Sequence, residues 1–389
     1  MNLLDFSHIQ RPILFKMPAL IFILMVMTSC VKTEAFRISE ESYVDVHIYV
    51  MGDKVPNTRS AEPSDGNVDS NIDYINILCF DYNNDFVSSN TIYKDKIQET
   101  LSPNGSGGRE ITFTIKAKQS DLSYTYVMIA NSNITKQLKS FSAGDDKNTV
   151  LSSLYTEEKY NGSFSSLPMW GEVTLNSVSS DGTSNPIQPT GTLLRAVARF
   201  DVRIAASVTN FKLYGASVWL SPDKGLTVPT ASTLIISNSH AGNVNAPTMP
   251  STYNGLMSNS NVPSYSLTSA EKTSGTKDIT NKIFSHENHN YDQAGEIQSG
   301  DKRRTRLVVW GEYTDGDGVT EVRYYRVDIK DYVSDTYYDI LRNHIYSVEI
   351  PGFVTSGEGT EEEAAVGKSI EGIVHVNPWI DMDNVFLPI

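Results

Sequence analysis

Cysteine is nearly absent: the 389-residue chain has two, Cys30 and Cys79. That excludes a disulfide framework and a cysteine-based zinc cluster. Cys79 lies in the mostly apolar run Tyr74 to Phe80 and reads as a small buried hydrophobe rather than a nucleophile. Histidine is scarce as well; the seven show neither HxH nor HExxH spacing. His286 and His289 fall in a polar stretch, and Glu371 and His375 flank a strand-like run, where a spacing of four does not bring side chains together. Positive charge is in deficit, with 32 Lys and Arg against 46 Asp and Glu and a net charge of −14, which repels phosphate backbones and argues against a nucleic-acid partner. Long helical patterns are missing too, which disfavours a parallel α/β fold. No G-x-S-x-G elbow occurs. Gly105 to Gly108 lacks the residues of a phosphate cradle and reads as a hairpin turn; Asp315-Gly316-Asp317-Gly318 lacks the closing Glu of an EF-type loop and reads as another. No catalytic set, metal or cofactor is expected, and the chain is not expected to be an enzyme.

What is present begins with a leader. Arg11 and Lys16 precede an apolar run from Met17 to Met27, closed by Thr28-Ser29-Cys30. A basic flank, a short apolar core and small residues form a secretory signal. The run is shorter than the roughly 20 residues a membrane-spanning helix needs. Its ending resembles a bacterial lipobox, so residues 1–29 are expected to be removed and Cys30 acylated, with Met27 and Thr28 departing from the usual residues.

Beyond the leader the pattern is that of strands. Val44, Val46, Ile48 and Val50 alternate with Tyr43, Asp45, His47 and Tyr49, as in a half-buried strand. A polar stretch from Gly52 to Asn71, with Pro56, Pro63 and Gly66, shows no periodicity and reads as a loop. Further strands are predicted over Tyr74–Phe80, Glu110–Ala117, Ser123–Ala130 (apolar on both faces, hence central), Pro168–Leu175, Leu194–Ile204, Asn210–Leu220, Ser232–Ser237, Leu307–Tyr313, Glu321–Lys330 and His344–Ile350. In Leu194–Ile204, Arg195, Arg199, Asp201 and Arg203 are expected on a solvated face. Thr149–Lys159 is the one plausible short helix; Thr355–Gly367, with Glu361-Glu362-Glu363, and the polar region from Asn238 to about Gly300 read as loops. The expected fold is all-β in the main: two antiparallel β-sandwich (transthyretin-like) domains in tandem, 30–206 and 207–389, with one or two short helices. Trp170, Trp219, Trp310 and Trp379 each lie among apolar neighbours, where core packing is the commoner fate than a sugar-stacking platform.

Several stretches, taken in order, resemble the fimbrillin proteins of Bacteroidales, the subunits of type V pili (the major and minor fimbrilin families). They are the lipobox ending at Cys30, Thr58-Arg59-Ser60, Leu167-Pro168-Met169-Trp170-Gly171-Glu172, Leu194 to Val202, Leu341-Arg342-Asn343-His344-Ile345-Tyr346 and Val374-His375-Val376-Asn377-Pro378-Trp379. Together they extend over nearly the whole chain; the region from about Asn238 to Gly300 matches nothing in the family.

The resemblance implies a maturation scheme. A lipoprotein precursor reaches the outer membrane through the lipid on Cys30. An Arg-specific or trypsin-like protease then cuts after an arginine in the loop that follows the first strand, here Arg59, leaving Ser60 as the new N-terminus. Loss of Ser42–Val50 would vacate a groove filled until then by Val44, Val46, Ile48 and Val50, side chains together worth about 6–12 kcal/mol as an upper bound. A neighbour's C-terminal strand would fill it. In this chain Val374, Val376, Ile380 and Met382 share one parity, and Val385, Leu387 and Ile389 another, so they are the candidate donor residues. A solvated loop arginine, and a last strand that packs in its own domain, are the alternatives. The expected function is a structural subunit of a cell-surface fimbria, in the shaft, with identical or related fimbrial subunits as partners. A tip or accessory adhesin, and a non-polymerising surface lipoprotein that binds host or bacterial glycans or proteins, are the rivals.

Overall fold

The computed structural model describes residues 43–51, 71–101, 109–118, 120–157, 166–177, 190–229, 262–290 and 303–378. The first ten strands in chain order are β1 (Tyr43–Met51), β2 (Tyr74–Phe80), β3 (Phe86–Tyr93), β4 (Gln98–Leu101), β5 (Arg109–Lys118), β6 (Tyr124–Ala130), β7 (Tyr155–Thr156), β8 (Met169–Leu175), β9 (Thr190–Thr192) and β10 (Leu194–Arg195). Two short helices, α1 (Thr135–Leu138) and α2 (Lys147–Ser152), lie between β6 and β7. A four-stranded sheet in the order β4-β5-β1-β9 packs against a five-stranded sheet in the order β10-β8-β6-β2-β3.

Alternation makes the first sheet one-sided. Ile111, Phe113, Ile115 and Ala117 of β5 are buried, while Thr114 and Lys116 between them are exposed. Their core partners across the gap are Ile75 and Ile77 of β2, Tyr126, Met128 and Ala130 of β6, and Val173 and Leu175 of β8. β6 is apolar on both faces for a physical reason. Val127 and Ile129 point away from this core into a second one, roofed by Ile134, Val150 and Leu151 of the α1–α2 region. The helix predicted over Thr149–Lys159 is thus real but shorter and earlier, started by Asp146, whose side chain accepts from the Thr149 N–H.

The second set of strands is β11 (Ala198–Ile204), β12 (Phe211–Trp219), β13 (Gly225–Leu226), β14 (Ser264–Ser266), β15 (Asp278–Ser285), β16 (Arg306–Thr314), β17 (Thr320–Asp328), β18 (Lys330–Asp331), β19 (Thr336–Tyr337), β20 (His344–Ile350), β21 (Ser369–Ile370) and β22 (Ile373–Pro378). Helix α3 (Ser269–Ser274) precedes β15, and α4 (Glu361–Val366) precedes β21. Sheets β15-β11-β20-β22 and β14-β12-β16-β17-β21 enclose a core that includes Phe200, Val202, Phe211, Val309, Tyr325, Tyr346 and Val348. β16 and β17 form the hairpin expected at Asp315–Gly318; Asp315 accepts from the Asp317 and Val319 N–H groups, and Gly318 takes a φ of 82°.

Three expectations change. Leu194–Ile204 is not one strand: β10 belongs to the first sandwich and β11 to the second, so sheet membership switches between Arg195 and Ala198. Arg195 and Arg199 are buried, not solvated, because they lie at this junction. Arg199 forms a two-pronged pair with Asp201, at 2.8 and 2.7 Å. Burial, with the Arg199 charge nearby, lowers Arg195 to about 9. Finally, Thr355–Gly367 contains α4, capped by Thr360 with the glutamates in its first turn, where acidic side chains suit the helix N-terminus. Parallel pairings also occur, β1 with β9, β11 with β20 and β17 with β21.

Candidate assembly site around the first strand

β1 is an inner strand. It pairs antiparallel with β5 over nine residues, from Tyr43 opposite Lys118 to Met51 opposite Glu110. On its other side it pairs with β9, in parallel, through Tyr49, Val50 and Met51. The register sets Val44 opposite Ala117, Val46 opposite Ile115, Ile48 opposite Phe113 and Val50 opposite Ile111. Those four β5 residues are 1–6% exposed, so the core face of β5 is the one opposite those register positions. The register also sets Asp45 opposite Lys116.

β5 is occupied on both edges, by β1 from Glu110 to Lys118 and by β4 at Arg109–Thr112. Taking β1 out of this sheet would therefore unpair the inner edge of β5 and separate it from β9 by one strand's width, about 4.7–4.9 Å beyond normal spacing. β9 itself is held against the opposing sheet. A Cβ on Gly191 would stand 2.6 Å from Val173 Cγ2 and 3.1 Å from Met128 Cε, a close approach that only glycine permits without rearrangement.

The candidate donor residues divide. Val374 and Val376 lie in β22, antiparallel to β20 and opposite Val348 and Tyr346. Val376 is 9% exposed and belongs to the second core, with Val374 packed against it. This part of the candidate donor is installed in its own sandwich. Pro378, opposite His344, closes the pairing; β22 is an edge strand, which tolerates a residue without an N–H. Cys30, Arg59, Ser60, Ile380, Val385, Leu387 and Ile389 lie outside the described residues, as do Ser232–Ser237, Gly105–Gly108 and Trp379.

Three of the sequence stretches that carry the family resemblance meet at the junction of the sandwiches. The Ala196 N–H donates to the Pro168 carbonyl at 2.8 Å, and the Asn343 N–H to the Val197 carbonyl at 2.9 Å. Leu167, Val197 and Phe284 are buried together with Ile345 against them. Arg342, 9% exposed, pairs with Glu287 at 2.5 Å and donates to the carbonyls of Leu226 and Thr227 at 3.0 and 3.2 Å. That same segment, 224–227, laces the first sandwich: β13 pairs with β7, and Lys224 pairs with Glu157 at 2.7 Å. The role of Arg342 and Glu287 was not read from the sequence, because 55 residues separate them.

Burial pushes the half-buried Cys79 thiol up to about 11, against which a hydrogen bond with Tyr126 acts, so it is a poor nucleophile at neutral pH. His286 is buried and its ring occupies the space where a Gly225 Cβ would be, while His289 stands 3.0 Å from Asp339. Among the described residues there is no group of three or more potential metal ligands, and no helix is long and apolar enough to cross a membrane. Trp170 and Trp219 are buried, as expected of core residues, whereas Trp310 is only half-buried.

No family model and no curated protein matches the chain. Among solved structures it is similar to the tip fimbrial protein Mfa3 from Porphyromonas gingivalis with C-terminal truncation, at 14% identity and a TM-score of 0.49, covering 86% of this chain and 100% of that one. It is also similar to a cell adhesion protein from Bacteroides eggerthii (14% identity, TM-score 0.48, 87% and 96% covered). A third likeness is to a fimbrial assembly protein from Parabacteroides distasonis (8%, 0.46, 87% and 96%). Likenesses of this degree accompany the β-rich architecture and decide nothing about function.

Proposed function

We propose that the chain is a structural subunit of a cell-surface fimbria, most simply of its shaft, exported as a lipoprotein on Cys30, cut between Arg59 and Ser60, and polymerised by strand exchange. The observation that carries the reading is the position of β1: an inner strand opposite the buried residues Ile111, Phe113, Ile115 and Ala117, followed by the segment 52–70 that contains Arg59. Excision there would uncover apolar side chains worth roughly 1.5–3 kcal/mol each when buried, together with an unpaired strand edge. Both are relieved by an incoming strand. Since Val374 and Val376 already serve their own sandwich, the donor is assigned to the residues after Pro378, with Val385, Leu387 and Ile389 filling the groove. Such a contact is head-to-tail and gives an open filament rather than a ring. No catalytic activity is proposed; the partners are further fimbrial subunits, an arginine-specific or trypsin-like protease and the outer membrane.

The test is size-exclusion chromatography of the trypsin-treated, unlipidated protein, with and without Asn384–Ile389. Polymers are expected only when those six residues are present. Equal polymers from both versions would place the donor elsewhere, and cleaved monomers from both under all conditions would end the fibre reading. Loss of fatty-acid labelling in Cys30→Ala tests the anchor.

A further inference from the structure

The outer face of the sheet β14-β12-β16-β17-β21 is divided by α4. Under the helix, Trp219 and Val308 pack with Ala364 and Ala365, and the Trp219 indole N–H donates to Glu361 at 2.7 Å. The same face carries Trp310 and Tyr324, opposite each other in the β16–β17 register and both partly exposed, with Tyr324 packed against the cluster under the helix. Their rings are near parallel, at 26°, with centroids 6.2 Å apart. The six-membered ring of Trp310 lies on Gly215, where a Cβ would stand 2.1–2.7 Å from three of its atoms. The sheet thus seats one side of the indole, and the residue as a whole stays partly exposed.

Polar groups frame this aromatic pair. Lys212 and Glu312, opposite each other on β12 and β16, stand 3.7 Å apart at the surface, and Glu312 also holds the Tyr214 hydroxyl. Tyr324 continues into a cleft of about 630 Å³, whose lining includes Arg326, Glu358, Lys368 and Ser369. Flat apolar surface bordered by hydrogen-bonding groups matches one ligand chemistry well: a pyranose ring, with C–H bonds on its face and hydroxyls on its rim. The volume suits a ligand of a few sugar rings, whereas a stable protein partner needs about 800 Å² of each surface.

We propose that Trp310 and Tyr324, with the adjoining cleft, bind the sugar rings of a surface glycan. The site is remote in sequence from β1 and the loop after it, so it is testable on the uncut chain independently of assembly. The experiment is ligand-observed saturation-transfer NMR and indole N–H shift mapping of the full chain with cellohexaose, mannohexaose and sialylated lacto-oligosaccharides as probes. Saturable binding of at least one probe, shifting the Trp310 indole signal, is expected. Trp310→Ala should weaken it at least tenfold and Trp310→Tyr less, while Tyr93→Ala, on an exposed residue of the first sandwich, should leave it unchanged. Absence of saturable binding by every probe, or binding that moves another indole and not that of Trp310, would overturn the proposal. The shift mapping decides on the unaltered protein even where Trp310→Ala fails to fold.

Discussion

The first strand of each sandwich occupies the same place. β1 lies between an antiparallel neighbour, β5, and a parallel one, β9; β11 lies likewise between β15 and β20. What differs is how each is held. β11 pairs with β20 over six residues and enters directly from the buried Ala196 and Val197, and β20 is covered in turn by β22. β1 has only three parallel pairs to β9, which ends its sheet, and is followed by 52–70. The comparison teaches that two strands in the same central place can be tied to the chain in different ways. On the proposed reading β1 is dispensable because a cut behind it leaves the rest of the chain continuous, whereas a cut before β11 would sever the two sandwiches.

The sharpest way to break this comparison is at the junction. Glu287→Ala leaves the Arg342 guanidinium buried without its carboxylate, at a cost of about 3–5 kcal/mol. Because Arg342 also holds the carbonyls of Leu226 and Thr227, beside the β13–β7 pairing, calorimetry should show one cooperative transition splitting into two. A single transition shifted downward would mean the sandwiches do not depend on this pair for coupling.

Truncating the equivalent strands separates their roles. Phe200 of β11 is fully buried and stacks on Tyr346 at 5.2 Å, so Phe200→Ala should cost about 3–5 kcal/mol, both before and after cleavage. On the proposed reading, Ile48→Ala in β1 should destabilise the uncut chain by roughly 1 kcal/mol or more and cost nothing in a polymer from which β1 has gone. Denaturant unfolding of the uncut and assembled forms distinguishes them; an Ile48→Ala defect that persists in polymers would show that β1 stays.

The smallest effect belongs to α3. Thr268 accepts from the Glu271 N–H, and Glu271 accepts from the Thr268 N–H in return. Thr268→Ala should cost about 1 kcal/mol, confined to the second sandwich. Burial alone would raise the Glu271 carboxyl, but the Thr268 hydrogen bonds, aided by Tyr265 and Lys282, hold it below its ordinary value of 4.5. A carboxyl depressed in the folded state stabilises above that value, and its contribution fades as pH falls through the folded one. The Thr268→Ala penalty measured by thermal melts should therefore shrink on acidification below about pH 4.

Much of the strand pattern was legible. Tyr74–Phe80 and His344–Ile350 match β2 and β20 at both ends, and the two-faced apolarity of Ser123–Ala130 marked β6 as central. β3 was missed because Val87 to Asn90 are exposed on an edge, where polar residues carry no alternation. β15 was missed inside a polar region because its pairing with β11 is broken by a bulge between Phe200 and Val202. The candidate aromatic face was visible only as one tryptophan among four.

Alternation in β5 by itself determined which residues face a core, because successive side chains of a strand point to opposite sides whatever its neighbours are. It could not say which strands lie side by side. That β1 sits between β5 and β9, that Arg195 and Arg199 are buried rather than wet, and that Arg342 meets Glu287 were decided by pairings across tens to more than a hundred residues. Such pairings are selected by the joint packing of two sheets and their helical covers, and a period of two contains no information about them.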